Sequence, residues 1–146
     1  MDVVRQLKPD VVITFHPLVW RDDHRRVGLA AADACFKACL PLVETDHPAH
    51  RPIPAIYFIG RPMVPVQPDV YVDVTDYMEA KIEALKRHES QWVKWEIDDD
   101  GSTIPLEEVI ESVRQTARQL GRESGVKYAE AFISQYGRSR VLDLLP

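Results

Sequence analysis

The densest group of side chains able to do chemistry is Arg21-Asp22-Asp23-His24-Arg25, with His16 a few residues upstream. An imidazole binds metals and moves protons. A carboxylate orients an imidazole or takes a proton, and a guanidinium stabilises an oxyanion but cannot give up a proton at neutral pH. His24 falls in the first turn of a helix expected from about Asp23 to Leu40. Unpaired N–H groups there favour a neutral ring, the form that binds metal. Asp22 and Asp23 suit that turn as cap and dipole partners. On pattern alone, a lone histidine near a helix start is more often structural or solvated than a ligand.

The elements that must position this group are legible from patterning. Val11-Val12-Ile13 through Phe15 is an unbroken apolar run, which predicts a strand buried on both faces and a site in the loop beyond its carboxyl end. In the following helix Arg26, Asp33 and Lys37 form a polar stripe, while Val27, Ala31, Ala34, Cys35 and Ala38 are expected to pack inward. Cys35 and Cys39 lie one turn apart and fit a packed face better than a disulfide or a metal pair. Residues 2–8 suit the end of a helix closed by Pro9.

Seven of the eleven prolines fall between Pro41 and Pro68, a stretch suited to a pocket wall or an oligomer contact, with Ala55–Ile59 inside it as a second buried strand. His47 and His50 are expected at the surface. Val70, Val72 and Val74 alternate with Tyr71 and Asp73 as in a half-buried strand. Asp76, with Glu79 three residues on, predicts a helix cap, and Met78, Ile82 and Leu85 its inner face, with His88 beside it. Glu83, Lys86 and Arg87 form a solvated outer face. Asp98-Asp99-Asp100-Gly101 is expected to be a solvated turn rather than a cation loop. The helix Pro105–Leu120 carries apolar residues at helical spacing, with Gly121 as its stop. Strands alternating with helices predict an α/β fold, three-layer and Rossmann-like, with a largely parallel sheet.

With 146 residues, 45% hydrophobic and 28% charged, the chain fits one domain over residues 1–146. A net charge of −5, with Arg21, Arg25 and Arg26 interleaved with aspartates, argues against nucleic acid as a partner. Neither a membrane span nor a leader segment is expected, which makes the cytoplasm the expected location.

The segment from Leu7 to Gly28, LKPDVVITFHPLVWRDDHRRVG, resembles the second signature of the PIG-L/LmbE-type zinc-dependent N-deacetylases. Val72–Gln91 and Tyr128–Phe132 are similar to that family's later blocks, in the same order. The resemblance implies hydrolysis of the acetyl group of an N-acetylglucosamine-like amide, a Zn2+ cofactor, and a small N-acetylated amino-sugar conjugate as partner, with a homo-oligomer a further expectation. It implies His24 as a zinc ligand and Arg21, Asp23 and His88 as catalytic candidates, Arg21 standing where the family has a histidine. Nothing in these residues matches the family's opening AHPDDE-type motif, which supplies the other two ligands and the general base. The expectation is therefore an N-terminally truncated fold. A non-catalytic sugar-binding or structural relative is the alternative. A nucleotide-binding Rossmann module would need a glycine-rich phosphate loop that the sequence lacks.

One imidazole contributes only part of the roughly 10 kcal/mol or more of a complete zinc centre. The 146 residues alone are thus expected to lose zinc on dialysis and to release no acetate from N-acetylglucosamine. Stoichiometric zinc by elemental analysis would contradict this.

Overall fold

The computed structural model describes residues 1–88 and 105–136, which fall into two compact units. Among the described residues, the first comprises 1–70 and 132–136, and the second 71–88 and 105–131. The Asp98–Gly101 cluster lies outside the described residues.

In the first unit, α1 (Asp2–Leu7) ends at Lys8, whose φ of +48° reverses the chain ahead of Pro9 while its N–H returns to the Val4 carbonyl. β1 (Val11–Phe15) pairs in parallel with β2 (Ala55–Ile59), Val11 opposite Ala55 and Phe15 opposite Ile59. α2 (Asp22–Ala38) connects them. It lays Cys35 on Ile56 and Phe58, with Val4, Val12, Ala32, Ile53 and Ile133 around them. Each such buried apolar side chain contributes about 1.5–3 kcal/mol.

A buried arginine organises one end of this unit. Arg5 is 2% exposed, and its guanidinium donates to the carbonyls of Ala38, Leu40 and His47 and to the Thr45 hydroxyl, at 2.8–3.1 Å. The carbonyls left unpaired where α2 ends thus receive a cation in fork geometry. His47, expected at the surface, is half-buried beside it, with Nδ1 3.0 Å from both carboxylate oxygens of Asp2. That histidine holds the Asp2 carboxyl below its usual range.

The second unit holds β3 (Val70–Asp73, entering from the first), a 3-10 turn at Thr75–Tyr77, α3 (Met78–Lys86), α4 (Leu106–Ser124) and the start of β4 (Ala129–Ser134). Met78 and Ile82 from α3 pack with Ala117 and Tyr128, and Val74, Ile110 and Val113 close around them. Arg114 grips both oxygens of Glu79 at 2.7 Å, and Lys81 pairs with Glu130.

Hydrogen-bonded neighbours in the sheet run β1-β2-β4-β3. The expectation of a largely parallel sheet is corrected here: β4 runs antiparallel to β2, with Tyr57 opposite Ser134 and Phe58 opposite Ile133. The Asp69 N–H meets the Phe132 carbonyl and the Val74 N–H the Tyr128 carbonyl, so the chain also comes back into β4 against the direction of β3, as an antiparallel return rather than a parallel crossover, although α3 and α4 lie in that connection. The expectation that β1 is buried on both faces is also corrected. β1 is an edge strand among those described, and Val11 and Ile13 are 39% and 58% exposed while Thr14 is buried. A β-branched run reports strand propensity, whereas burial of its second face needs a covering layer.

Three local expectations also change. Val27 is exposed, and Gly28 takes the inward position of α2 instead. Asp76 makes no cap. Asp73 instead accepts the Thr75 N–H at 2.9 Å, and α3 starts from the 3-10 turn. Gly121 is not the helix stop, because α4 runs on to Ser124 and Gly125 ends it with φ +82°. Gly121 is a close-approach glycine: a Cβ there would sit 2.7 Å from the carbonyl oxygens of Val126 and Lys127. No helix among the described residues is long and apolar enough to cross a membrane.

The two glycines should therefore fail differently. Gly121→Ala forces backbone apart and should cost about 1–3 kcal/mol, whereas Gly125→Ala meets open space and should cost about 1 kcal/mol through its left-handed backbone alone. Urea unfolding of both variants measures the difference, and equal costs would refute the close-approach role.

Candidate functional site

The candidate site is the loop from His16 to Arg21 and the first turn of α2, all within the first unit. Gly28 sets its geometry, since a Cβ on that residue would lie 2.1 Å from the Phe15 carbonyl oxygen. Only glycine lets the start of α2 come down onto the end of β1. The consequence is visible one turn earlier, where the His24 ring stacks on Phe15 with centroids 3.8 Å apart and planes 16° from parallel.

The loop is fixed from two sides. His16 is 8% exposed, its N–H donates to the Ile59 carbonyl at 2.8 Å, and its ring sits edge-on to Phe58 at 5.4 Å. Its Nδ1 accepts the Leu18 N–H at 3.1 Å, which places the ring proton on Nε2, and burial holds its pKa below the ordinary histidine value. Beyond it, Val19 bridges to Pro62 and Met63 N–H donates to the Leu18 carbonyl at 2.8 Å. Val19 is buried against Gly60, whose φ of +97° turns the chain after β2.

Arg21, Asp23 and His24 are brought together. Asp23 Oδ1 lies 3.5 Å from Arg21 Nε, and its Oδ2 lies 3.8 Å from His24 Nε2. Desolvation alone would raise the Asp23 carboxyl, but the His24 backbone N–H and the charges of Arg21 and His24 outweigh it and hold the group below its usual value. Asp22, expected as the cap, is the first helical residue and makes no cap bond. Its carboxylate accepts from Arg25 at 2.7 Å and Arg26 at 2.9 Å, so both aspartates serve the helix dipole. Arg21 Nε faces the carboxylate, which leaves part of a half-exposed guanidinium to meet an anionic oxygen.

His88 lies in the second unit, exposed just past the end of α3, with its N–H on the Leu85 carbonyl. Its described contacts are all local. Among the described residues no three His, Cys, Asp or Glu side chains converge as a metal centre requires. His24 with Asp23 does not by itself make a zinc site, where three protein ligands and an open position are the rule. A shallow polar concavity of about 410 Å³ on α4, lined by Ser112, Gln115, Arg118 and Arg122 among others, holds none of these candidates.

Sequence reasoning missed Phe15 as the platform under His24, Gly28 as the residue that permits it, and His16 as the loop's hydrogen-bond anchor. A glycine four residues after the histidine, inside a helix, was the available signal, because an interior helical glycine costs stability unless something approaches it closely.

Three comparisons bear on this geometry. No protein-family model matches the chain. The diacetylchitobiose deacetylase of Thermococcus kodakarensis is 28% identical over 142 residues, which covers 88% of this chain and 46% of that protein. The N,N'-diacetylchitobiose deacetylase structure from Pyrococcus horikoshii superposes with a TM-score of 0.66 at 26% identity, over 98% of this chain and 53% of that one. A conserved protein from Thermus thermophilus gives a TM-score of 0.76 at 22% identity, over 95% of this chain and 57% of its own length. The 4-carboxy-2-hydroxymuconate hydratase from Pseudomonas putida gives 0.70 at 22%, over 99% and 59%. The chain thus spans about half the length of the relatives it matches. The last two likenesses show the fold, and a hydratase among them shows that the fold alone does not choose the reaction.

His16 generates a prediction with a defined sign. Its folded pKa is depressed, so its contribution to stability is complete above the ordinary value of 6.5 and is lost progressively as pH falls from there through the lower folded value, because the unfolded chain takes up the proton first. The fall in urea midpoint between about pH 8 and about pH 5.5 should therefore be smaller in His16→Asn than in the unmodified protein. An equal fall in both would contradict the buried neutral ring.

Proposed function

We propose that this chain, a homologue of the PIG-L/LmbE-type deacetylases in sequence and structure, takes part in removing an N-acetyl group from a small amino-sugar conjugate. The observation that carries this reading is His24, at the motif's ligand position, seated on Phe15 at the start of α2 with Asp23 and Arg21 beside it. Amide hydrolysis builds negative charge on the carbonyl oxygen as water attacks. Arg21 is the group in this loop able to meet that charge, and it does so without proton transfer. Asp23 holds Arg21 and His24 in relative position, and His88 is a further candidate for handling protons.

The zinc that the family implies finds one candidate ligand here, His24, and no step is assigned through it. In this reading the arrangement is three-layer and Rossmann-like, the location is cytoplasmic, and the proline-rich segment 41–68 serves as pocket wall or homo-oligomer contact. A second reading is favoured by one specific feature, Arg21 at the family's histidine position: a relative that binds the sugar without cleaving it.

Acetate release from N,N'-diacetylchitobiose by the product of the complete gene separates the two. The deacetylase reading expects turnover that His24→Ala abolishes and that Arg21→Met lowers about a hundredfold or more in kcat with little change in KM. Binding without any acetate release, or release indifferent to His24→Ala, would sink it.

A further inference from the structure

The first unit exposes apolar side chains at both ends of α2, and the two groups carry opposite charge. Ahead of α2, the bridge between Val19 and Pro62 and the Met63 N–H on the Leu18 carbonyl pin residues 18–20 against 61–63 as a short ledge. Alternation turns Val19 inward and sends Leu18, Trp20, Arg61 and Met63 to the outer face. Trp20 is 74% exposed, Leu18 and Met63 are half-exposed, and Arg61 has no ion-pair partner among the described residues.

Beyond α2, Leu42 is the most exposed of the large apolar side chains described, at 94%. Its support is firm. Pro41 fixes a backbone angle before it, the Val43 N–H turns back to the Leu40 carbonyl, and Arg5 holds Leu40, Thr45 and His47. Glu44 and Asp46, both exposed, follow in the same loop, and neither has an ion-pair partner among the described residues. A single leucine in water is ordinary. One on a backbone already fixed by folding differs, because a contact made there costs little further ordering. α2 spans 17 residues, about 25 Å at roughly 1.5 Å per residue, so the Leu42 knob and the Trp20 ledge cannot meet within one chain.

We propose that knob and ledge are the two halves of one contact between copies of this chain: Leu42 of one copy seats on the Trp20 ledge of the next, with Glu44 and Asp46 turned to Arg61. The apolar side chains supply the attraction. The unlike charges decide which surface meets which, and they keep ledge from ledge and knob from knob. Because the contact joins different surfaces, each added copy still offers one knob or one ledge, and assembly passes the dimer, to a ring where the rotation closes and to a filament where it does not. The inference rests on the homo-oligomer reading of segment 41–68 and goes further by naming the two surfaces and their head-to-tail sense. Trp20 adjoins Arg21 in the chain, so the next copy is seated beside the loop that carries the candidate site.

Sedimentation velocity of the intact chain over a range of concentrations is the test. Species larger than a dimer are expected, and Trp20→Ser and Leu42→Ser should each weaken association about thirtyfold or more, the effect of losing a central anchor. Mixing the two variants is the decisive measurement. The ledge is intact in Leu42→Ser and the knob is intact in Trp20→Ser, so the mixture should form a one-to-one dimer that grows no further. Arg61→Glu should weaken assembly, and Glu44→Lys with Asp46→Lys in the same chain should restore it, which a misfolded variant would not allow. Circular dichroism checks the fold of each variant directly. Assembly that survives either serine variant, or a mixture that forms no dimer, overturns the inference and leaves the homo-oligomer reading standing. A monomer at every concentration overturns both.

Discussion

The arrangement of the candidate site depends on one contact, the close approach of Gly28 to the carbonyl of Phe15. A helix that follows a strand through a short loop can be held at many heights above the sheet, and side-chain volume usually sets that height. Here nothing larger than a hydrogen fits, so the helix start is drawn down until His24 rests on the Phe15 ring. The stack fixes the plane of the imidazole, the loop between strand and helix has to fold tightly, and the two aspartates of the first turn meet the arginines around them. A requirement on one glycine thus determines the orientation of a histidine one turn away.

Much of the fold was legible because its signals are local. The helix end before Pro9, the helix over residues 22–38 and the strand inside the proline-rich stretch follow from proline chemistry and helical or strand periodicity. What was not legible depends on partners distant in sequence. The same run of valines and isoleucine suits a central strand or an edge, and only the neighbouring elements decide between them. Gly121 and Gly125 look alike in sequence, yet one is defined by the carbonyls that pass beside it and the other by its own backbone angle. The antiparallel return of β4 could not be read from its residues, since strand direction is a property of the connection rather than of the strand.

The candidate site divides along the same line. Arg21, Asp23 and His24 are consecutive or nearly so, and a helix start keeps such residues together, so their grouping was readable. His88 belongs to another unit, and no spacing rule places it. The supports of the site, Phe15, His16, Val19 and Gly60, are ordinary residues whose roles exist only in three dimensions. That a hydratase shares the architecture reinforces the point, because the fold supplies a strand end and a helix start while the side chains set on that frame determine the reaction.

Arg5 ties together pieces that the chain order keeps apart: the first helix, the last turn of α2, and the loop through Thr45 and His47. Because one guanidinium makes all of these bonds, they cannot be released one at a time without leaving a charge buried and partly unpaired. Shared bonds of this kind tie residues 1–8 and 38–47 into one cooperative patch, set apart from the loop carrying His24, which has its own anchors at Ile59 and Pro62.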